Sequence, residues 1–343
     1  VLPLRRAQTA VAVPALGSGA GLLPPAGVAW RLGSRAKGSL DALELLEFPQ
    51  AAEPLGAGQV RIAVHATGVN FRDLLDGLNA LGWFQDKVGL MGGEAAGVVL
   101  EVGSEVDNLR PGDRVVGLTE GGFGPMVVTG AGGVTKIPDE VSFEQAATIP
   151  VAFLTTYYGL MDLAGLRPGE SLLVHAGTGG TGMAAIQLAQ RLGVEVFATA
   201  SPAKWDVLRS LGIPDDHIAS SRTLEFEERF GGRGIDVVLN SLTGEFIDAS
   251  ARLLRPGGRF IEMGKLDIRD QEQFPGLTYR WFDVLDAGPE RLRQILGELM
   301  ELFAAGELRP LPVTAWDVRR GREAFRFMSQ AKHTGKIVLT MPR

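Results

Sequence analysis

The 343-residue sequence contains no cysteine. Disulfides, iron–sulfur clusters, thiolate nucleophiles and cysteine-bound zinc are thereby excluded. Histidine is scarce too. His65, His175, His217 and His333 are the only four, and none stands at metal-ligand spacing with another or with close carboxylates. No metal site is expected. No run of about 18 apolar residues occurs, so no membrane-spanning helix is expected. There is no G-x-S-x-G elbow and no Walker A loop, which removes the serine hydrolase and P-loop readings. Basic excess is missing as well. The net charge is −6, which argues against a partner read through its phosphates, such as nucleic acid.

What is abundant is glycine, 46 residues or about 13% against about 7% in average usage. The glycines are not periodic, so they mark turns and close backbone approaches rather than a collagen repeat. At about 150 residues per domain the length suggests two domains. Residues 1–27, rich in Ala, Gly and Pro, read as an inter-domain linker of a longer polypeptide. From Trp30 to about Pro150 the segments are short and strand-like: VRIAVHA (Val60–Ala66), GVVLEV (Gly97–Val102) and DRVV (Asp113–Val116), separated by turns such as Arg110-Pro111-Gly112-Asp113. Near Gly169 the pattern changes to apolar strands alternating with helices. Strands are expected at 171–176, 194–199, 235–240 and 259–263, and helices at 183–192, 203–211 and 245–254. That alternation predicts a doubly wound parallel sheet. An amphipathic helix over 289–304 follows, and a last strand, Lys336–Thr340, returns to the first domain. The expected division is 28–152 with 291–343, and 153–290.

The strand SLLVHA runs into Gly177-Thr178-Gly179-Gly180-Thr181-Gly182 and then a helix. In that context Gly177, Gly179, Gly180, Thr181 and Gly182 read as a dinucleotide loop, bringing backbone N–H groups to a pyrophosphate. NAD-specific folds hold the ribose with an acid at the end of the second strand. Here that strand ends Ala200-Ser201-Pro202-Ala203-Lys204, with no acid. Ser201, Lys204 and Arg222 suit a 2′-phosphate instead, which points to NADPH. Hydride transfer without a catalytic zinc favours reduction of an activated C=C bond over alcohol oxidation. Lys265, after the strand RFIEMG, stands where such sheets hold ligands and is a candidate proton donor. Asp283 is a candidate to orient it, and a water molecule remains an alternative donor. His175, inside an apolar strand, reads as a core histidine.

These residues, with GVNFRD (Gly68–Asp73), GGEAAGVV (Gly92–Val99), RPGDRVVGL (Arg110–Leu118), IPVAFLTTYYGL (Ile149–Leu160), DVVLNSLTGEF (Asp236–Phe246), GRFIEMGKLDIRD (Gly258–Asp270) and HTGKIVL (His333–Leu339), form a series. From Trp30 onward the chain resembles the enoylreductase domain of a type I modular polyketide synthase, in the zinc-free medium-chain dehydrogenase/reductase superfamily. The resemblance implies an α/β fold with a β-rich GroES-like substrate domain and a Rossmann cofactor domain. It implies NADPH-dependent reduction of a trans-2-enoyl thioester held on an acyl carrier protein, with hydride to Cβ and a proton to Cα. Neighbouring ketoreductase and dehydratase domains and a cytoplasmic location come with it.

By the same resemblance Lys265 and Asp283 form the donor pair. Asn70, Thr155, Thr156, Asn240, Met263, His333, Gly335 and Lys336 lie on the cofactor side. Two departures stand out. Phe84 falls where the family often has Tyr or Val; phenylalanine cannot donate a proton, which disfavours a Tyr-dependent configuration at Cα. The stretch around QEQFP (Gln271–Pro275) is shortened, which bears on Asp283 more than on Lys265. The alternatives are a free-standing zinc-free quinone or enone reductase and a non-catalytic cofactor-binding module.

Overall fold

Alternation of apolar and polar side chains builds the first half. The computed structural model describes residues 11–12, 21–82 and 89–342. The proposed linker over 1–27 therefore lies largely outside the described residues. The elements begin with β1 (Val11–Ala12), β2 (Trp30–Ser34), β3 (Leu43–Glu47), β4 (Gln59–Val69), α1 (Phe71–Gly77), β5 (Glu94–Val102), β6 (Arg114–Leu118), β7 (Met126–Gly130), β8 (Val134–Lys136) and α2 (Phe143–Ala146). β4 buries Val60, Ile62 and Val64 while Arg61, Ala63 and His65 are only half-buried. That two-residue period places one face on the core, where Val99, Val115 and Val127 join it.

The second half follows a different rule. α3 (Pro150–Tyr157) runs into a π-helical turn, Tyr158–Leu163. Then come β9 (Ser171–Val174), α4 (Gly180–Leu192), β10 (Glu195–Ala200), α5 (Trp205–Ser210), β11 (Ile218–Ser220), α6 (Glu225–Phe230), β12 (Ile235–Asn240), α7 (Glu245–Leu253), β13 (Leu254–Glu262), β14 (Thr278–Trp281) and α8 (Gly288–Ala304). The six strands form one parallel sheet in the order β11-β10-β9-β12-β13-β14. Successive residues of β9 and β12 serve opposite cores. Leu172, Val174, Val237 and Leu239 pack with Ile186 of α4 and Leu208 of α5. Leu173 and Val238 pack with Phe226 of α6 and Ile247 of α7. Both faces are covered, as a continuous apolar strand requires. This is a doubly wound Rossmann-type sheet.

β15 (Val313–Asp317), α9 (Gly321–Ser329) and β16 (Lys336–Thr340) close the chain. β16 lies between β15, parallel, and β4, antiparallel. It enters the β-rich sheet, whose order is β1-β15-β16-β4-β5-β6-β8 with β7 on β4. The chain divides into two units. One holds Gly89–Ile149 with the described residues before Asn79 and after Leu308; the other holds Pro150–Leu308 with the described residues of 79–88. α8 belongs to the second, where Phe303 meets Phe153 of α3 edge-on at 5.0 Å between ring centroids.

Candidate active site

In the parallel sheet the strand order reverses between β9 and β12, and ligands of such sheets bind at the carboxyl ends of the strands. The glycine loop leaves β9 there. Its backbone is fixed by Gly177 N–H to Thr199 O (2.8 Å) and Gly179 N–H to Ala176 O (2.9 Å). Gly179 caps α4 and has no side chain to offer the first-turn N–H groups, so those donors suit an anion. A Cβ at Gly182 would stand 2.4 Å from Ala176 O and 2.7 Å from Gly177 Cα. The loop is a cradle that side chains would fill. Thr156 supports it from α3: its Oγ1 donates to Ala152 O (2.9 Å) and reaches Thr181 O (3.2 Å). Thr155 is half-buried beside it.

Ser201 follows β10, and β11 runs beside β10 with Ser220 opposite Ala200. Register thus brings Ser201 and Arg222 to the same sheet edge. Lys204 is half-buried and Arg222 exposed. Burial, and then the Arg222 charge, hold the Lys204 ammonium below its ordinary pKa. Two cations this close create a positive site suited to a phosphate.

At the ends of β13 and β14 stands the pair singled out from sequence. Lys265 Nζ lies 2.9 Å from Asp283 Oδ2, with 14% and 11% of the two side chains exposed. Nζ also donates to Phe282 O (3.1 Å) and sits 4.8 Å from the Trp281 ring centroid. Asp283 is itself fixed. Its Oδ1 accepts from Leu285 N (2.9 Å), and its N–H donates to Asp286 Oδ2 (2.8 Å). The stretch between β13 and β14 thus ends with Asp283 beside Lys265.

One residue escaped the sequence reading. Glu262, at the end of β13, is fully buried. Its carboxylate accepts from Asn240 Nδ2 (2.5 Å) and Gly264 N–H (2.5 Å). Burial pushes its pKa up to about 8 against those two donors. The available signal was an acid in an otherwise apolar strand end, IEMG. Met263 N–H donates to Asn240 O (3.0 Å), which ties the ends of β12 and β13 together. His175 is a core histidine, between Thr199 Oγ1 (2.9 Å) and Ser250 Oγ (2.7 Å).

The β-rich unit carries its own polar cluster. Lys336 Nζ lies 2.7 Å from Glu94 Oε1, and both side chains are buried. Asn70 Nδ2 donates to Glu94 Oε1 (2.9 Å), and its Oδ1 accepts from Lys336 Nζ. Asp73 secures Asn70 by accepting from its N–H (2.8 Å) and from Gly92 N–H (3.0 Å). The Lys336 charge is therefore engaged within this cluster. Gly335 has φ +68°, and a Cβ there would meet Pro312 O at 2.2 Å. His333 is half-buried near Phe327. Phe84 lies outside the described residues.

A GroES-like unit with a Rossmann unit defines the class, the medium-chain dehydrogenases and reductases. Residues 56–139 match the alcohol dehydrogenase GroES-like domain, and residues 215–339 the zinc-binding dehydrogenase family. Yet there is no cysteine, and among the described residues no group of three or more His, Asp or Glu is placed to hold a metal ion. The chain is 57% identical over 327 residues to the spectinabilin polyketide synthase system protein NorB of Streptomyces orinoci, covering 94% of this chain and 15% of that protein. It is 56% identical over 331 residues to the pikromycin polyketide synthase component PikAII of Streptomyces venezuelae, covering 93% and 9%. The crystal structure of CurK enoyl reductase superposes with a TM-score of 0.85 at 40% identity, over 92% of this chain and 99% of that one. The chain belongs to the enoyl reductase domains of modular type I polyketide synthases. An oxidoreductase role and a nicotinamide cofactor follow from the family, and the glycine cradle and the Lys204–Arg222 edge fit that cofactor.

Proposed function

We propose that this chain reduces the C=C bond of a trans-2-enoyl thioester carried on an acyl carrier protein, using NADPH, during polyketide chain extension. The Rossmann unit carries the phosphate-binding loop for the cofactor, and the β-rich unit the acyl substrate. Ketoreductase and dehydratase domains of the same polypeptide are its neighbours, in the cytoplasm. The observation that carries the reading is the immobilised Lys265–Asp283 pair at the ligand edge of the sheet.

When bound, the nicotinamide supplies a hydride to Cβ. Gly177, Gly179, Gly180, Thr181 and Gly182 hold the pyrophosphate, with Ser201, Lys204 and Arg222 on the 2′-phosphate. Asn70, Thr155, Thr156, Asn240, Met263, His333, Gly335 and Lys336 complete the cofactor side, several of them by shaping backbone rather than by touching it. Lys265 delivers the proton to Cα. Asp283 Oδ2 and Phe282 O aim its ammonium, so little orientation remains to be fixed when the substrate arrives.

The test is reduction of 2-methylcrotonyl-pantetheine with NADPH followed by chiral analysis. A positioned general acid contributes roughly 10²–10⁴-fold. Lys265→Ala should lower kcat by about that factor or erode the configuration at Cα; an unchanged rate and configuration would remove Lys265 from the role. Lys204→Ala should raise KM for NADPH far more than for NADH. Equal effects on the two cofactors would refute the 2′-phosphate assignment.

A further inference from the structure

The geometry points to Glu262 as a positioning residue that locks the turn carrying Lys265 to the strand end carrying Asn240. This rests on the reading of Lys265 as donor, and it concerns a carboxylate that the proposed chemistry does not use. Glu262 has two oxygens and two assigned donors. Oε1 accepts from Gly264 N–H, the peptide next to Lys265, and Oε2 accepts from Asn240 Nδ2. Asn240 cannot turn to suit another partner. Its Nδ2 also donates to Leu242 O (2.8 Å), and its Oδ1 accepts from Leu242 N (3.2 Å).

The opposite side of the turn is held by β14. Trp281 Nε1 donates to Gly264 O (2.8 Å), while its ring lies against Lys265 Nζ. Phe282 N–H donates to Glu262 O (3.1 Å), and Phe282 O accepts from Lys265 Nζ (3.1 Å). The peptide of Gly264 is therefore gripped at both its N–H and its C=O, and one of the two grips is Glu262. Lys265, Asp267 and Tyr279 are the titratable groups that act on this carboxylate electrostatically. Burying an acid that deep is costly, and the two N–H donors favour its ionised form. In either protonation state the acid keeps one oxygen facing each of the two donors. A carboxamide presents one acceptor and one donor, so Glu262→Gln leaves Gly264 N–H or Asn240 Nδ2 facing an NH₂ group.

The experiment reads the position of Lys265 separately from catalysis. The full chain and its Glu262→Gln variant are labelled with trace acetic anhydride. Acetylation of Lys265 is quantified by mass spectrometry against the exposed Lys332. The expected result is a rise in Lys265 labelling of about tenfold, corresponding to about 1.4 kcal/mol of lost fixation. With it comes a drift in the Cα epimer ratio of reduced 2-methylcrotonyl-pantetheine, which a loss of folded molecules alone would not move. Unchanged Lys265 labelling overturns the positioning role. Raised labelling with unchanged rate and epimer ratio upholds it and removes Lys265 as donor instead. Gly264→Ala guards against a variant that fails to fold. Its Cβ would stand 2.6 Å from Glu262 Oε1, with Glu262 Cδ next at 3.5 Å, so it displaces the carboxylate without deleting it. It should raise Lys265 labelling in the same direction, and a Gly264→Ala protein labelled like the parent also overturns the proposal.

Discussion

Two buried ionisable side chains pull stability in opposite directions with pH. His175 is fully buried between two hydroxyls, and burial lowers its pKa to about 3. The unfolded chain takes up this proton below about 6.5 while the folded chain stays neutral. Stability is thus lost as pH falls from about 6.5 toward 3, by about 5 kcal/mol at the limit. Glu262 has the reverse sign. Its folded pKa is raised to about 8, so the folded state keeps a proton that the unfolded state has released. Its contribution falls as pH rises from about 4.5 to 8. Urea unfolding of His175→Gln should show a flattened limb between about pH 6 and 4, and Glu262→Gln should remove a fall in stability that the parent shows as pH rises from about 4.5 to 8. A His175→Gln protein whose midpoint falls with acid as steeply as the parent would show that His175 does not set that limb.

The tightest element-level constraint is the junction of β9 and α4. A methyl group at Gly182 meets backbone atoms on both Ala176 and Gly177, which cannot step aside as a side chain can. Gly182→Ala should cost about 1–3 kcal/mol by overpacking and weaken binding of the nicotinamide cofactor about tenfold. Calorimetric titration and thermal unfolding of the same sample check both. This junction was legible in sequence because strand, glycine spacing and helix are all local. β10, β12, α7 and α8 were legible for the same reason, as sustained apolar runs or helical periods. β11, only three residues long, and β14, only four and following an irregular stretch, carry too little local pattern to be read. Glu262 was missed because an acid at a strand end reads as solvated until its two donors are in place. Lys336 illustrates the converse. Its sequence neighbourhood gives no sign of Glu94 and Asn70, which pairing across the sheet sets beside it. Only tertiary pairing reveals that kind of contact.

The path of the chain makes the two units unequal. The Rossmann unit is nearly one continuous stretch, Pro150–Leu308, with helices over both faces of its sheet. The β-rich unit is assembled from distant pieces. Its core includes Trp316, Val318, Phe325, Met328, Ile337 and Leu339, which pack with Trp30, Leu32 and Phe123. β16 runs inside that sheet rather than at its edge. A chain ending at Leu308 would expose the flank of β4, lose those apolar side chains and leave Glu94 buried without Lys336. Removing one partner of a buried ion pair costs about 3–5 kcal/mol, and each large apolar side chain about 2–5. The sum exceeds the roughly 5–15 kcal/mol that holds a domain folded. Limited proteolysis of the truncated chain should therefore degrade residues 21–149 and leave a resistant fragment close to 150–308 that retains the circular dichroism of a parallel α/β sheet. Equal protection of both parts would mean that β15 and β16 contribute less to the first unit than their central place implies. Loss of both parts together would mean that the Rossmann sheet, despite its covered faces, does not stand on its own core.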